Sequence, residues 1–362
     1  VNMVILLSDR SGLSEVPVSA LRLDVDGDAL ASNWRALDTL SGTARAGAAV
    51  KANAYGLGAR RVVPLLHEAG CRDFFVAHWR EAAELLDLVD PRGVAVLHGP
   101  MNDAEAAFAQ ASGVVPVINS VEQARRWVAA GGGACHLMVD TGMNRLGVAL
   151  AELGDDAVQA LEIDALLSHL VAAEEDSPLN ELQRERWTAA RGLVHHARGS
   201  LSNSGGIALG AEYHGDLTRP GIALYGGIPR AEMGPLLRQV ARPQAAVLQV
   251  REIAAGDSLG YNATFVAPRA MRVGTVAMGY ADGYLRCWSG KGAFRPAGGD
   301  AGVRLPVVGR VSMDLTILDL SALPTLGEGD WVTADYDLPE AAAVSGLSQY
   351  ELLTLLGRRF TR

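Results

Sequence analysis

Lysine is scarce in this chain of 362 residues: of its 32 Lys and Arg side chains only Lys51 and Lys291 are lysines, and the others are arginines. Cysteine is scarce too. Cys71, Cys135 and Cys287 stand far apart with no Cys-x-x-Cys pair, which excludes a disulfide framework and a cysteine-based metal centre and leaves reduced intracellular thiols. Positive charge is outweighed, with 32 basic against 41 acidic residues for a formal net charge of -9. That excludes a nucleic-acid binder relying on a broad basic surface, but not a local basic pocket for a small anion. Apolar runs long enough to cross a membrane are absent. Residues 1–7 form a short apolar run, but no basic residue precedes it and Ser8, Asp9 and Arg10 end it, unlike a secretory signal or a membrane span. These absences predict a cytoplasmic protein with no membrane, nucleic-acid or metal partner.

The shortage of lysine carries chemical information. A guanidinium stays protonated and forms no imine with an aldehyde, whereas a primary amine can shed its proton and do so. A lysine that survives where arginine is otherwise preferred marks a place where arginine cannot substitute, so Lys51 and Lys291 are both candidates for chemistry. Lys291 lies in the glycine-rich stretch 289–302 and reads as a solvated loop charge.

What the chain does have is 49% hydrophobic residues, enough for a large core and two domains. Eight short apolar runs, at 44–51, 73–78, 93–98, 114–119, 134–140, 163–169, 200–204 and 218–225, read as buried strands. Segments with helical periodicity, such as 79–89, 120–130 and 179–197, separate them, the second opening on a Ser120-x-x-Gln123 capping box. The alternation predicts an α/β fold, a (β/α)8 TIM-type barrel over 16–235. From 236 to 362 the pattern changes to alternating segments punctuated by turns, a β-rich C-terminal domain. The N-terminal segment, 1–15, is expected to pack on that domain. Seven of the barrel runs end on a polar side chain, Lys51, His78, His98, Asn119, Asp140, His169 and Ser204, and in such barrels the strand C-termini form the active-site face.

The segment VKANAYGLGA, residues 50–59, strongly resembles the pyridoxal-phosphate attachment site of alanine racemases. VDTGMNRLGV (139–148), SNSGG (202–206), TRPGIALYGG (218–227), GYNATF (260–265), GYADGY (279–284) and GRVSMDL (309–315) follow in that family's order. The resemblance runs from about residue 20 to the end, and the ordered set is far more specific than any one motif. It implies the architecture read above and an isomerase that interconverts L- and D-alanine, supplying D-alanine for peptidoglycan. A serine or broader-specificity racemase of the same fold is the alternative. Less favoured is a non-catalytic pyridoxal-phosphate-binding protein, which would need neither the second domain nor Tyr261.

The resemblance also implies residue roles. Lys51 carries the cofactor and handles the proton on the D face of the α-carbon, and Tyr261 handles the one on the L face. Tyr261 is expected from the partner subunit of a homodimer. Because a free tyrosine titrates near about 10, a tyrosine base needs nearby positive charge or hydrogen-bond donors, and the family pattern offers His169 and Arg219. Arg219 faces the pyridine nitrogen; its plainer reading is a barrel-rim salt bridge. The phosphate is expected at Tyr55, Ser204, the backbone amides of Gly221 and Ile222, and Tyr350, although both tyrosines could serve as packing residues. The substrate carboxylate is expected at Arg145 and the Met313 backbone, with Tyr280 and Asp314 lining the entrance. Many relatives carry a carbamylated lysine at the position of Met138; methionine reads there as strand packing. Arg145 therefore calls for an anion such as chloride, or for a neighbouring carboxylate.

Overall fold

The computed structural model describes residues 17–299, 302–357 and 359–361; the segment 1–15 lies outside them. The described residues fall into two compact units, one holding 25–241 and 348–354, the other 17–24, 242–347 and 355–361.

The first unit is built on short parallel strands, Ala48–Ala49, Phe74–Val76, Val94–Val96, Val115–Ile118, Ala134–Asp140, Glu162–Leu167 and Arg198–Ser200, paired in that order. Leu217–Thr218 pairs in parallel with Arg45–Ala46. The Asp216 N–H donates to the Gly199 carbonyl at 2.7 Å and the Arg219 N–H to that of Ser202 at 2.9 Å, which closes the ring expected from the eight apolar runs. Side chains alternate across the wall because strand period is two. On Ala134–Asp140, Cys135, Leu137 and Val139 face the helix-side core with Ala124 and Trp127, while Met138 joins Phe75, Ala165 and Leu167 in the inner layer.

Local signals set the helix ends. The Ser120 hydroxyl accepts the Gln123 N–H at 3.2 Å, but the Gln123 side chain reaches past Ser120 to the Asn119 N–H at 2.8 Å. The anticipated box is thus half formed, its second bond moved to the strand end. The last expected strand, 218–225, is only Leu217–Thr218, and Ile222–Tyr225 is a buried 3-10 turn. A short run buried on all sides has no periodicity to distinguish the two.

The second unit is antiparallel. Ala241–Ile253, Met271–Val276, Thr316–Asp319, Leu305–Val308, Ala293–Pro296 and Trp331–Ala334 pair in turn, and the last returns to Gln244–Ala246, with Leu21–Val25 beside the first. Leu305–Val308 and Thr316–Asp319 are two strands around a loop, and Lys291 is exposed in the turn before Ala293. Three boundaries differ from expectation: residues 17–24 fall in the second unit rather than the barrel, the division falls at 241/242 rather than 235/236, and 348–354 returns to the barrel unit. The reason is hydrogen bonding. Gln349 takes the Ile228 N–H at 2.8 Å and donates to the Ile228 carbonyl at 2.9 Å, a long-range pairing that no composition shift marks.

At the N-terminal ends of the barrel strands a half-buried cluster of charges surrounds the buried His136. Arg198 bridges Asp73 (3.0 Å) and Asp164 (2.6 Å), and His136 Nδ1 stands 3.5 Å from Asp164. Burial holds the His136 ring neutral and lowers its pKa to about 4. An unfolded histidine titrates at about 6.5, so the unfolded chain takes up the proton first as pH falls. The contribution of this residue is whole above about pH 6.5 and is lost as pH falls toward about 4. Urea unfolding of the cofactor-free chain across that window should show the decline, and His136→Gln should flatten it.

Candidate active site

The C-terminal ends of the barrel strands converge on a cavity of about 780 Å³. Of the seven polar strand-end residues, Lys51, His98, Asn119, Asp140, His169 and Ser204 line it. His78 stands behind, its ring edge-on to His98 at 4.3 Å.

Lys51 follows the strand Ala48–Ala49 and opens an unusual turn. Ala52, Asn53, Ala54 and Tyr55 all have φ between 53° and 54°, a left-handed conformation that costs an L-residue about 1–2 kcal/mol each. Small side chains limit the clash, and specific bonds hold the turn. The Ala52 N–H donates to Glu81 (2.6 Å), and the Asn53 side chain accepts the Ala59 N–H (2.8 Å). Gly56 ends the turn at φ +89°, with any Cβ only 2.7 Å from the Leu353 carbonyl, so the turn packs directly on the helix Gln349–Thr354. The lysine amine is held below its usual pKa by burial first and then by Arg145, with Glu81 opposing and Arg219 adding to the shift.

At one wall, Tyr55 packs between Tyr225 (centroids 4.8 Å) and Tyr350 (6.2 Å). A Cβ on Gly221 would stand 2.2 Å from the Tyr55 hydroxyl, so only glycine fits. The Ser204 Oγ accepts the N–H groups of Gly221 (2.8 Å) and Ala223 (3.3 Å). Gly221 thus spends its amide on Ser204, and the serine proton remains as the donor to a ligand. Ile222 opens a 3-10 turn, where an N–H has no partner inside the helix. The Tyr350 hydroxyl is engaged, donating to Glu174 at 2.6 Å.

Arg219 is buried, yet no carboxylate pairs with it among the described residues. Its guanidinium donates to the Ser200 carbonyl at 2.8 Å and also to the Ser200 hydroxyl and the Ser168 carbonyl, so the rim salt bridge is not formed. Burial lowers its pKa to about 10, leaving it charged at neutral pH. Burial first, then Arg219, Arg145 and Lys51, push His169 down to about 3. His169 therefore serves as a neutral ring, not as positive charge for a tyrosine. Arg145 is exposed, and among the described residues no carboxylate lies within 4.0 Å of it, so that half of the expectation fails. Met138 packs in the inner layer as expected.

The other four expected residues belong to the second unit. The Tyr280 N–H donates to Ser312 (3.1 Å) and the Ala281 N–H to Met313 (3.0 Å), which brings the loops of Tyr280 and Met313 side by side. Asp314 accepts from Arg359 (2.7 Å), which also holds Asp282 (2.8 Å). Tyr261 is 67% exposed and Met313 54%.

Comparison with known proteins decides the family. The model of the alanine racemase N-terminal domain matches residues 25–229 and that of the C-terminal domain 240–362. The chain belongs to the alanine racemase family. It is 41% identical to the alanine racemase of Rhizobium meliloti, over 94% of this chain and 96% of that protein. It is 43% identical to that of Rhodospirillum rubrum, over 94% of each. Among solved structures it resembles the alanine racemase from Bartonella henselae with covalently bound pyridoxal phosphate. That match has 35% identity and a TM-score of 0.84, covering 96% of this chain and 99% of the other.

Glu81 and Glu174 are the site residues that motif reading missed. Both sit in segments without a distinctive pattern; only the short spacing of Glu81 behind His78, as a helix N3 residue, carried a signal. Because a Cβ at Gly56 meets backbone and a positive φ at once, Gly56→Ala should cost about 2 kcal/mol or more of stability, read by denaturant unfolding.

Proposed function

We infer that this protein is a pyridoxal-phosphate-dependent alanine racemase that interconverts L- and D-alanine. The observation that supports it most is the set of unsatisfied groups around one cavity. The Tyr55 hydroxyl and the amine of Lys51, both at the cavity wall, make no side-chain hydrogen bond among the described residues. With the charged Arg219 they suit an anionic aldehyde that the amine can bind covalently. Pyridoxal phosphate fits that description, with Tyr55, Ser204 and the Ile222 amide for its phosphate and Arg219 for its ring nitrogen. Tyr350 would join them by turning from Glu174.

When bound, the cofactor supplies the electron sink for charge developing at the substrate α-carbon. Lys51 Nζ holds and moves the proton on one face of that carbon. Tyr261 Oη, from the partner subunit, does so on the other. Arg145 and the Met313 backbone orient the substrate carboxylate, and Tyr280 and Asp314 border its path. Arg219 stays cationic because a guanidinium is a far weaker acid than a pyridinium, so it donates a hydrogen bond to the ring nitrogen without giving up its proton, which discourages chemistry beyond racemisation. The exposure of Tyr261 and Met313 in the single chain supports a homodimer in which each subunit completes the other's cavity. D-alanine for peptidoglycan, made in the cytoplasm, is the role this activity suits.

Lys51→Arg should keep the charge but lose covalent cofactor attachment, read by borohydride trapping and mass spectrometry, and racemisation with it. Tyr261→Phe should leave attachment intact and lower racemisation by about a hundredfold or more. Full activity in the second variant would refute the two-base assignment. kcat/KM on alanine and on serine separates the alanine enzyme from a broader one.

With no carboxylate within 4.0 Å of Arg145 among the described residues, a small anion is expected there. Replacing chloride by a bulky anion at constant ionic strength should raise KM for alanine more than it changes kcat. An unchanged KM would mean that Arg145 stands alone.

A further inference from the structure

The Glu81 carboxylate lies between two barrel strand ends. Its Oε1 accepts the Ala52 N–H at 2.6 Å, and its Oε2 accepts those of Ala77 at 2.8 Å and His78 at 3.1 Å. Ala52 is the first left-handed residue after Lys51, while Ala77 and His78 follow the neighbouring strand Phe74–Val76. Capping the short helix Trp79–Ala83 requires only the bond to His78. The bond to Ala52 reaches a different segment, so capping does not account for it.

The charges facing Lys51 are unbalanced without this residue. Arg145, from the loop after Ala134–Asp140, and Arg219, after the closing strand, are cations. His98 and His169, at two further strand ends, are both biased toward the neutral ring, chiefly by burial. Among the described residues Glu81 is the carboxylate that acts on the lysine amine.

We propose that Glu81 is a positioning residue for Lys51, which ties the left-handed turn to the adjacent strand end and places a negative charge beside the amine to offset Arg145 and Arg219. The proposal rests on Lys51 being the cofactor lysine. A lysine that must regain a proton during turnover cannot be surrounded by cations alone, because like charges disfavour its protonated form. A carboxylate already fixed by three backbone donors supplies that charge with no rearrangement.

The scarcity of lysine makes the test direct, since lysine labelled with 13C at Cε gives signals only from Lys51 and Lys291. In the full-length, cofactor-free chain, with Lys291→Arg to identify the signal, the Lys51 resonance is titrated against pH. Glu81→Gln should lower its midpoint by about half a pH unit or more. Glu81→Asp, which keeps the charge, should stay closer to the parent. An unmoved midpoint in Glu81→Gln overturns the proposal. Equal lowering in both variants also overturns it, since displacement of the turn alone would then account for the effect. The titration uses neither cofactor nor alanine, so its failure leaves the racemase reading standing.

Discussion

Arg219 sets a buried positive charge in the cavity wall, and the arrangement of the barrel ends follows from how that charge is satisfied. Among the described residues no carboxylate pairs with the buried Arg219, which would be costly if its donors were unmet. The strand ends meet them instead. Carbonyls of Ser168 and Ser200 point at the guanidinium because their strands stop there. Oriented dipoles solvate the charge without neutralising it, so a full positive charge stays at this wall of the cavity for an anionic ligand. A carboxylate in their place would have cancelled that attraction.

The same strand ends are fixed from behind by a buried hydrogen-bond network. Ser168 Oγ donates to Val139 at 2.8 Å and meets Thr141 Oγ1 at 2.8 Å. Gln183, on the helix Pro178–Arg191, donates to Thr141 Oγ1 at 3.1 Å and to the His169 carbonyl at 2.9 Å, and accepts the Val171 N–H at 2.8 Å. One helix residue thus sets the height at which two strands deliver Asp140 and His169. A network this enclosed is costly to leave half satisfied, which makes it specify one geometry.

The barrel was legible because its strands are buried on both faces and separated by periodic helices, so the eight runs could be counted. Their polar ends marked the site, since hydrophobic strands rarely finish on six cavity-lining polar residues by chance. What could not be read were features that depend on packing at a distance. The left-handed run after Lys51 contains no glycine until Gly56, so nothing in KANAY announces it. Its bonds to Glu81 and through the Asn53 side chain, added to those within its own backbone, make it tolerable. The return of 348–354 to the barrel unit depends on Gln349 meeting Ile228, a pair separated by more than a hundred residues. The engagement of Tyr350 by Glu174 likewise joins segments unrelated in sequence.

Met138 shows why lysine is so rare here. Its side chain belongs to the inner layer with Phe75 and Leu167, where an amine would lose its hydration and require a fixed counter-charge. Methionine fills that space at no electrostatic cost, and the loop that carries Arg145 is held instead by Asp140, whose Oδ1 accepts the N–H groups of Gly142 at 2.8 Å and Met143 at 2.9 Å. Backbone bonds can place a loop, but they leave the guanidinium at its tip without an anchor until a ligand supplies one. A supporting charge can be replaced in this way because only its position matters. Lys51 cannot, because its function needs an amine that forms a covalent bond and exchanges a proton, and neither a backbone dipole nor an arginine offers both.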